Sequence, residues 1–189
     1  MTEAADERAW RCFVGVPIDD DLRVALSTCV GAWRTEIDAR WTDPAGWHCS
    51  LHFIGKLERG RVERVSAAVR EAVRGQPRFT TRTGGVSAFP SPARARVLYY
   101  GVADPEGALS RLARTVSAAA GDVGGDDVAS FRGHVTLARL RRPQRLDEWI
   151  ASRQPPVGHL DVSEACLMRS HLGPGPARYE RVACFRLAA

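Results

Sequence analysis

Two short stretches of the chain carry the same residue types at the same spacing. His48-Cys49-Ser50-Leu51 and His134-Val135-Thr136-Leu137 each read histidine, any residue, hydroxyl, leucine, and they lie 86 positions apart. On a strand, residues two apart share a face. Each stretch therefore sets one imidazole beside one hydroxyl while its leucine turns into the core. Two such strands facing across a cleft would offer two histidines and two hydroxyls to one small ligand. That set suits metal-free phosphoryl chemistry. One histidine takes a proton from the nucleophile, the other protonates the leaving oxygen, and the hydroxyls hold the non-bridging oxygens as charge moves onto them. Histidine, with an ordinary pKa of about 6.5, can fill both roles at neutral pH. The plainer reading, two unrelated half-buried strand histidines, leaves the repetition unexplained.

Other reactive side chains make weaker cases. His52 is taken to share the face of His48 and Ser50 and is expected at the rim of the site. His171 lies beside a Gly-Pro turn, and His159 has no partner in sequence; both are expected at the surface. Cys49 alternates away from His48, which argues against a Cys-His nucleophile pair. Asp19, Asp20 and Asp21 read as helix-cap carboxylates, and Asp126 and Asp127 as loop carboxylates. Nothing groups several carboxylates with His48 and His134, so neither a two-metal site nor any cofactor is expected.

The elements that must position the two motifs follow from periodicity. Residues 12–17 read as a short apolar strand stopped by Pro17. The Asp19 to Asp21 run then caps a helix reaching to about residue 39, with Leu22, Ala25, Leu26, Cys29, Val30 and Trp33 at helical spacing. Residues 47–54 form a second strand ended by Gly55, and 61–74 a second helix striped with Val62, Val65, Val69 and Val73. Strands are expected at 79–89 and 97–102, a third helix at 105–120, and a glycine-rich loop at 121–125. The second motif opens a strand at 134–140, a short helix follows at 143–152, and two strands flank the turn 172–176 in the tail. Many strands with few intervening helices predict an α+β fold with mainly antiparallel pairing. The repeated motif predicts two related lobes, each contributing one motif strand.

Composition bounds this reading without carrying it. The chain has 189 residues, 44% hydrophobic and 26% charged, enough for one sizeable core or two small fused lobes. No apolar stretch approaches the roughly 20 residues needed to span a bilayer. The first eight residues carry Glu3, Asp6 and Glu7 and are expected not to be a secretory signal, so a cytoplasmic protein is expected. The net charge of +5 permits an anionic ligand. Lys56 is the only lysine among 27 basic residues, so the arginine excess partly reflects coding bias. The five cysteines contain no C-x-x-C pair; buried, reduced thiols are expected rather than a disulfide framework or a zinc site.

On these residues the chain resembles the 2H phosphoesterase superfamily, and within it the RNA 2′,3′-cyclic phosphodiesterases, also called 2′-5′ RNA ligases. The resemblance runs through Arg11-Cys-Phe-Val-Gly-Val-Pro17, Trp47-His-Cys-Ser-Leu-His-Phe-Ile-Gly55, His134-Val-Thr-Leu-Ala-Arg139 and the tail from Arg169 to Tyr179. It implies one bilobal domain over 1–189, with two pseudo-symmetric lobes, antiparallel sheets lining a central cleft and helices outside. It implies His48 and His134 as the catalytic pair, and Ser50 and Thr136 as phosphate ligands. Arg139, taken to lie on the face of His134 and Thr136, would add a guanidinium contact, and Phe13 would stack on a base. The implied reaction is hydrolysis of RNA 2′,3′-cyclic phosphate ends to 2′-phosphates without metal, with reverse 2′-5′ ligation secondary. The implied partner is an RNA or nucleotide cyclic end, and the chain is expected to act as a monomer. The alternatives are an esterase of the same superfamily acting on another cyclic phosphate or on a 2′-5′ oligonucleotide, or a nucleotide- or RNA-binding module without catalysis.

Overall fold

The computed structural model describes residues 9–121, 131–171, 173 and 177–189. The first eight residues, nearly all of the glycine-rich loop, Asp126 and Asp127, and most of the turn at 172–176 lie outside them.

Among the described residues, nine strands form one curled antiparallel sheet. They are β1 (Ala9–Pro17), β2 (Ala39–Trp41), β3 (His48–Glu58), β4 (Phe79–Phe89), β5 (Ala95–Val102), β6 (His134–Gln144), β7 (Gly158–Val162), β8 (Glu164–His171) and β9 (Arg178–Arg186). Their order is β7-β4-β5-β6-β3-β1-β8-β9, with β2 beside β6. The sheet divides into two halves of four, β3-β1-β8-β9 and β6-β5-β4-β7. Each half begins at the seam with the strand that carries a motif. The halves meet at one pair, Cys49 with Val135. The expected α+β architecture with two related lobes is what the chain adopts.

Among the described residues, four α-helices accompany the sheet: α1 (Asp20–Trp33), α2 (Val62–Arg74), α3 (Ala108–Ala120) and α4 (Asp147–Ala151). The valine stripe of α2 is buried as expected. Helices α2 and α3 pack on one another and on β9 and β3 respectively. Helix α1 lies near β7 in the other half, where a Cβ at Gly158 would sit 3.3 Å from Leu22 Cδ1. Asp104 fixes the start of α3, its carboxylate accepting from the backbone N–H groups of Leu109 and Ser110 at 2.9 Å each.

Several boundaries differ from the sequence reading, each because pairing overrode a local signal. Helix α1 ends at Trp33 rather than near residue 39, because residues 39–41 pair with β6 instead. Gly55 does not end β3. With φ 81°, it sits where β1 and β3 slip by one residue, and the strand continues to Glu58. Pro143 does not open a helix; β6 runs to Gln144, and α4 is only five residues long. The tail holds three strands rather than two, β7 pairing with β4.

The cysteine expectation is corrected. Cys166 and Cys184 form a disulfide across the β8–β9 pair. Their register makes them direct neighbours, with Cα atoms 4.0 Å apart, although a spacing of 18 residues carries no sequence signature. Cys12 and Cys49 are free and buried. Burial pushes their thiols up to about 11 and about 12, which keeps them protonated and unreactive.

Candidate active site

The two motifs are built alike down to their irregularities. In the first, Ser50 pairs with Gly15 but His52 pairs with Val14, so Leu51 is an extra residue, a β-bulge. In the second, Thr136 pairs with Tyr99 but Ala138 pairs with Leu98, so Leu137 is the extra residue. Both leucines are buried, 4% and 0% exposed, each contributing roughly 1.5–3 kcal/mol of burial. Beyond each bulge the alternation changes phase. His52 consequently turns inward and is buried at 5% exposure, not placed at the rim as expected. Phe53 takes the cleft-facing place instead. Strict alternation would also have turned Arg139, five positions from His134, away from the site; the bulge returns it to the cleft.

The cleft has a volume of about 270 Å³ and is lined by Arg11, Phe13, Thr42, His48, Ser50, Phe53, Thr136, Arg139, Ser170 and Tyr179, among others. No carboxylate lines it among the described residues. His134 shares the cleft-facing side of β6 with Thr136 and stands close enough to His48 for its charge to be felt there. Of the expected site residues, then, Phe13, His48, Ser50, Thr136 and Arg139 line one opening, and His134 stands beside it on β6.

Each imidazole is held the same way, by the carbonyl two residues upstream. His48 Nδ1 lies 2.7 Å from Gly46 O, and His134 Nδ1 lies 2.8 Å from Arg132 O. A carbonyl only accepts, so Nδ1 carries the hydrogen in both rings. In the neutral form, each Nε2 then keeps a free lone pair. Burial pushes His48 down to about 4, opposed by the Gly46 carbonyl and reinforced by His134. His134 is also lowered, by burial first and then by the Arg139 and Arg132 guanidiniums, against the pull of the Arg132 carbonyl.

The rings around the histidines differ between the halves. His48 stacks on Phe13, with centroids 4.5 Å apart, and meets Tyr179 edge-on at 4.9 Å. His134 meets Phe89 and Tyr99 by edges at 5.0 and 5.5 Å. Phe13 is only 3% exposed, so the face expected to take a base is covered by His48. Gly15 makes room for that arrangement, since a Cβ there would lie 3.0 Å from Cys49 O and 3.1 Å from His48 Cδ2.

Three contributors were not singled out from the sequence. Arg11 lies over the Phe53 ring at 4.5 Å; it stands two residues before Phe13 on β1, so alternation could have found it. Tyr179 comes from β9, where no local pattern marks it. Thr42 ties the motifs together. Its hydroxyl lies 2.8 Å from Leu137 O and 2.9 Å from Thr136 O, and it accepts from Trp47 Nε1 at 2.8 Å. Arg11 and Arg139 form no ion pair among the described residues, leaving two guanidiniums free for an anion.

Outside the cleft, His171 Nε2 lies 2.8 Å from Glu180 Oε2 at the surface, and His159 is exposed. Glu164, Cys166 and Cys184 stand close together, but the disulfide removes both thiolates as ligands. No helix among the described residues is long and apolar enough to cross a membrane.

Residues 22–174 match the family model described as the 2′-5′ RNA ligase superfamily. An RNA 2′,3′-cyclic phosphodiesterase of Methanothermobacter thermautotrophicus is 30% identical over 182 residues, covering 94% of this chain and 98% of that protein. The protein of the same name from Archaeoglobus fulgidus is 29% identical, covering 93% and 99%. Among solved structures, E. coli LigT complexed with 3′-AMP superposes with a TM-score of 0.77 at 22% identity, over 96% of this chain and 99% of that one. A Thermus thermophilus protein does so with a TM-score of 0.74 at 24% identity, over 94% and 97%.

Proposed function

The chain belongs to the 2′-5′ RNA ligase superfamily, and from that premise we propose that it is a metal-independent phosphodiesterase opening 2′,3′-cyclic phosphate ends of RNA to 2′-phosphates. The observation that carries this reading is the seam. One backbone pair joins the strand of His48 and Ser50 to that of His134 and Thr136, and His48, both hydroxyls and two guanidiniums without ion pairs line a single opening. The curated relatives named RNA 2′,3′-cyclic phosphodiesterase support the substrate.

The chemistry uses only this chain's groups. His134 Nε2 takes a proton from water as its oxygen attacks phosphorus. The P–O3′ bond breaks, and His48 Nε2–H delivers a proton to O3′ while O2′ retains the phosphoryl group. Ser50, Thr136, Arg139 and Arg11 hold the non-bridging oxygens as they gain charge. Phe13 backs the His48 ring and fixes its plane. The bound phosphate, an anion beside His48, favours the imidazolium that burial alone disfavours. Run backwards with an RNA 5′-hydroxyl in place of water, the same groups would join ends through a 2′-5′ linkage.

Incubation with each 2′,3′-cyclic mononucleotide, followed by identification of the product isomer, tests the proposal. The 2′-phosphate is the expected product. A 3′-phosphate would reverse the assigned direction, and no turnover on any cyclic end would overturn the function.

A further inference from the structure

A second hollow, of about 500 Å³, lies on the half of the sheet that carries His134. A bulge thins the sheet there. The β4–β5 register passes from Thr83 opposite Val102 to Val86 opposite Tyr100, so Gly84 and Gly85 face Gly101 alone. Gly85 has φ 72° with nothing within 4 Å of where a Cβ would be. The walls of the hollow combine carbon with cations: Val86, Val102 and Val157 beside Arg82 and Arg132. Val157 is 72% exposed. Neither arginine forms an ion pair among the described residues. Arg132 Nη1 donates instead to Tyr99 OH at 3.2 Å.

The hollow lies next to His134. Arg132 and Gly133 line it, and the next residue in the chain is His134. Tyr99 lines it too, with its ring against His134. The first cleft, by contrast, holds His48 with Arg11, Phe13, Phe53 and Tyr179, together with Thr136 and Arg139 from β6, and is not lined by His134. In a 2′,3′-cyclic phosphate both ester oxygens belong to one ribose. If His48 protonates O3′, that nucleoside occupies the first cleft, and the in-line nucleophile enters from the opposite side, past His134. Water needs no hollow there. An RNA strand does.

Resting on the function proposed above, we propose that this hollow is the binding site of a second RNA strand, the one bearing the 5′-hydroxyl that is acceptor in 2′-5′ joining and leaving group in 2′-5′ scission. Its carbon walls suit ribose and base, and Arg82 and Arg132 suit the first phosphates of that strand.

The test compares two reactions in the full chain and in the doubly substituted variant Arg82→Glu/Val157→Glu, both positions being exposed. One is hydrolysis of a 2′,3′-cyclic mononucleotide, which involves no second strand. The other is joining of an RNA cyclic end to a 5′-hydroxyl oligonucleotide, with scission of the 2′-5′ product as its reverse. Hydrolysis should stay within about twofold, while joining and scission fall by about tenfold or more, chiefly through a raised KM for the 5′-hydroxyl strand. Equal loss of both reactions, or unchanged joining, would overturn the second-strand site. So would a wild-type chain that hydrolyses cyclic ends but neither joins nor cuts 2′-5′ linkages, and that outcome leaves the hydrolytic function standing. Absence of hydrolysis itself would remove both.

Discussion

Cys49 pairs with Val135 across the seam of the sheet, and each is the residue that follows a motif histidine. A near two-fold relation therefore runs between the motifs, bulge matched to bulge. Under the proposed mechanism, His48→Ala and His134→Ala should each lower kcat by about 10²–10⁴-fold. The double variant should be little worse than the weaker single one, because the two groups act as a unit. Single-turnover rates on a 2′,3′-cyclic nucleotide decide this; near-normal turnover in either single variant would end the two-histidine mechanism.

His48 makes acid stability a readout of the site. Its pKa is about 6.5 in an unfolded chain and about 4 in the fold. Between those values the unfolded chain binds more protons, so stability rises with pH across the window and flattens above it. The contribution reaches up to roughly 3 kcal/mol and is lost as pH falls from about 6.5 towards 4. His134, also lowered, adds in the same direction. Tm measured from about pH 4 to 8 should show this slope, reduced in His48→Gln. An equal slope in the variant would place the titration elsewhere.

Thr42 should act through position rather than contact with the reacting atoms. Thr42→Val removes the hydroxyl between the two motifs and leaves Trp47 Nε1 buried without its acceptor, at a cost of about 1–3 kcal/mol. Thr42→Ser should restore both stability and kcat. If Thr42→Val lowers Tm but leaves kcat unchanged, the strut holds the fold and not the spacing of the motifs.

Gly15 should be intolerant of even one methyl group. The Cβ of Gly15→Ala would press on Cys49 O and the His48 ring, and a displaced imidazole should cost about tenfold or more in kcat. Gly15 also pairs with Ser50, so KM should rise along with the fall in kcat. Unchanged kinetics in Gly15→Ala would show that the His48 ring accommodates the methyl group.

Metal independence has a direct check. Hydrolysis should proceed unchanged after exhaustive dialysis against EDTA, and loss of activity restored by a divalent cation would overturn it.

Much of this was legible in residue types. The motif strands, the valine stripe of α2 and the antiparallel α+β class follow from periodicities of two and 3.6 that a single segment displays. What escaped depends on the partner strand. Leu51 and Leu137 look like ordinary inward residues, and only their cross-strand register shows that each is a bulge. That register is why His52 is buried rather than at the rim. Arg139 reaches the cleft by the same mechanism, which alternation could not supply. The β8–β9 hairpin was expected around the turn 172–176, but the register that sets Cys166 against Cys184 and the contact of Tyr179 with His48 have no local pattern to announce them. Gly55 and Pro143 carry clear local stop signals that long-range pairing overrode.

The two carbonyls that grip the histidines have a consequence for the proton inventory of the cleft. With Gly46 O and Arg132 O each occupied by an Nδ1–H, and with both rings depressed, the unliganded site near neutral pH holds two neutral imidazoles and no imidazolium. The proposed reaction requires an acid, so the resting protein is one proton short of its own transition state. Association with a nucleoside 2′-monophosphate should draw that proton from the medium. The heat of binding should then vary with the ionisation enthalpy of the buffer, and affinity should fall as hydrogen ions become scarce above neutrality. A heat independent of buffer would mean that the acid is already loaded before the ligand arrives.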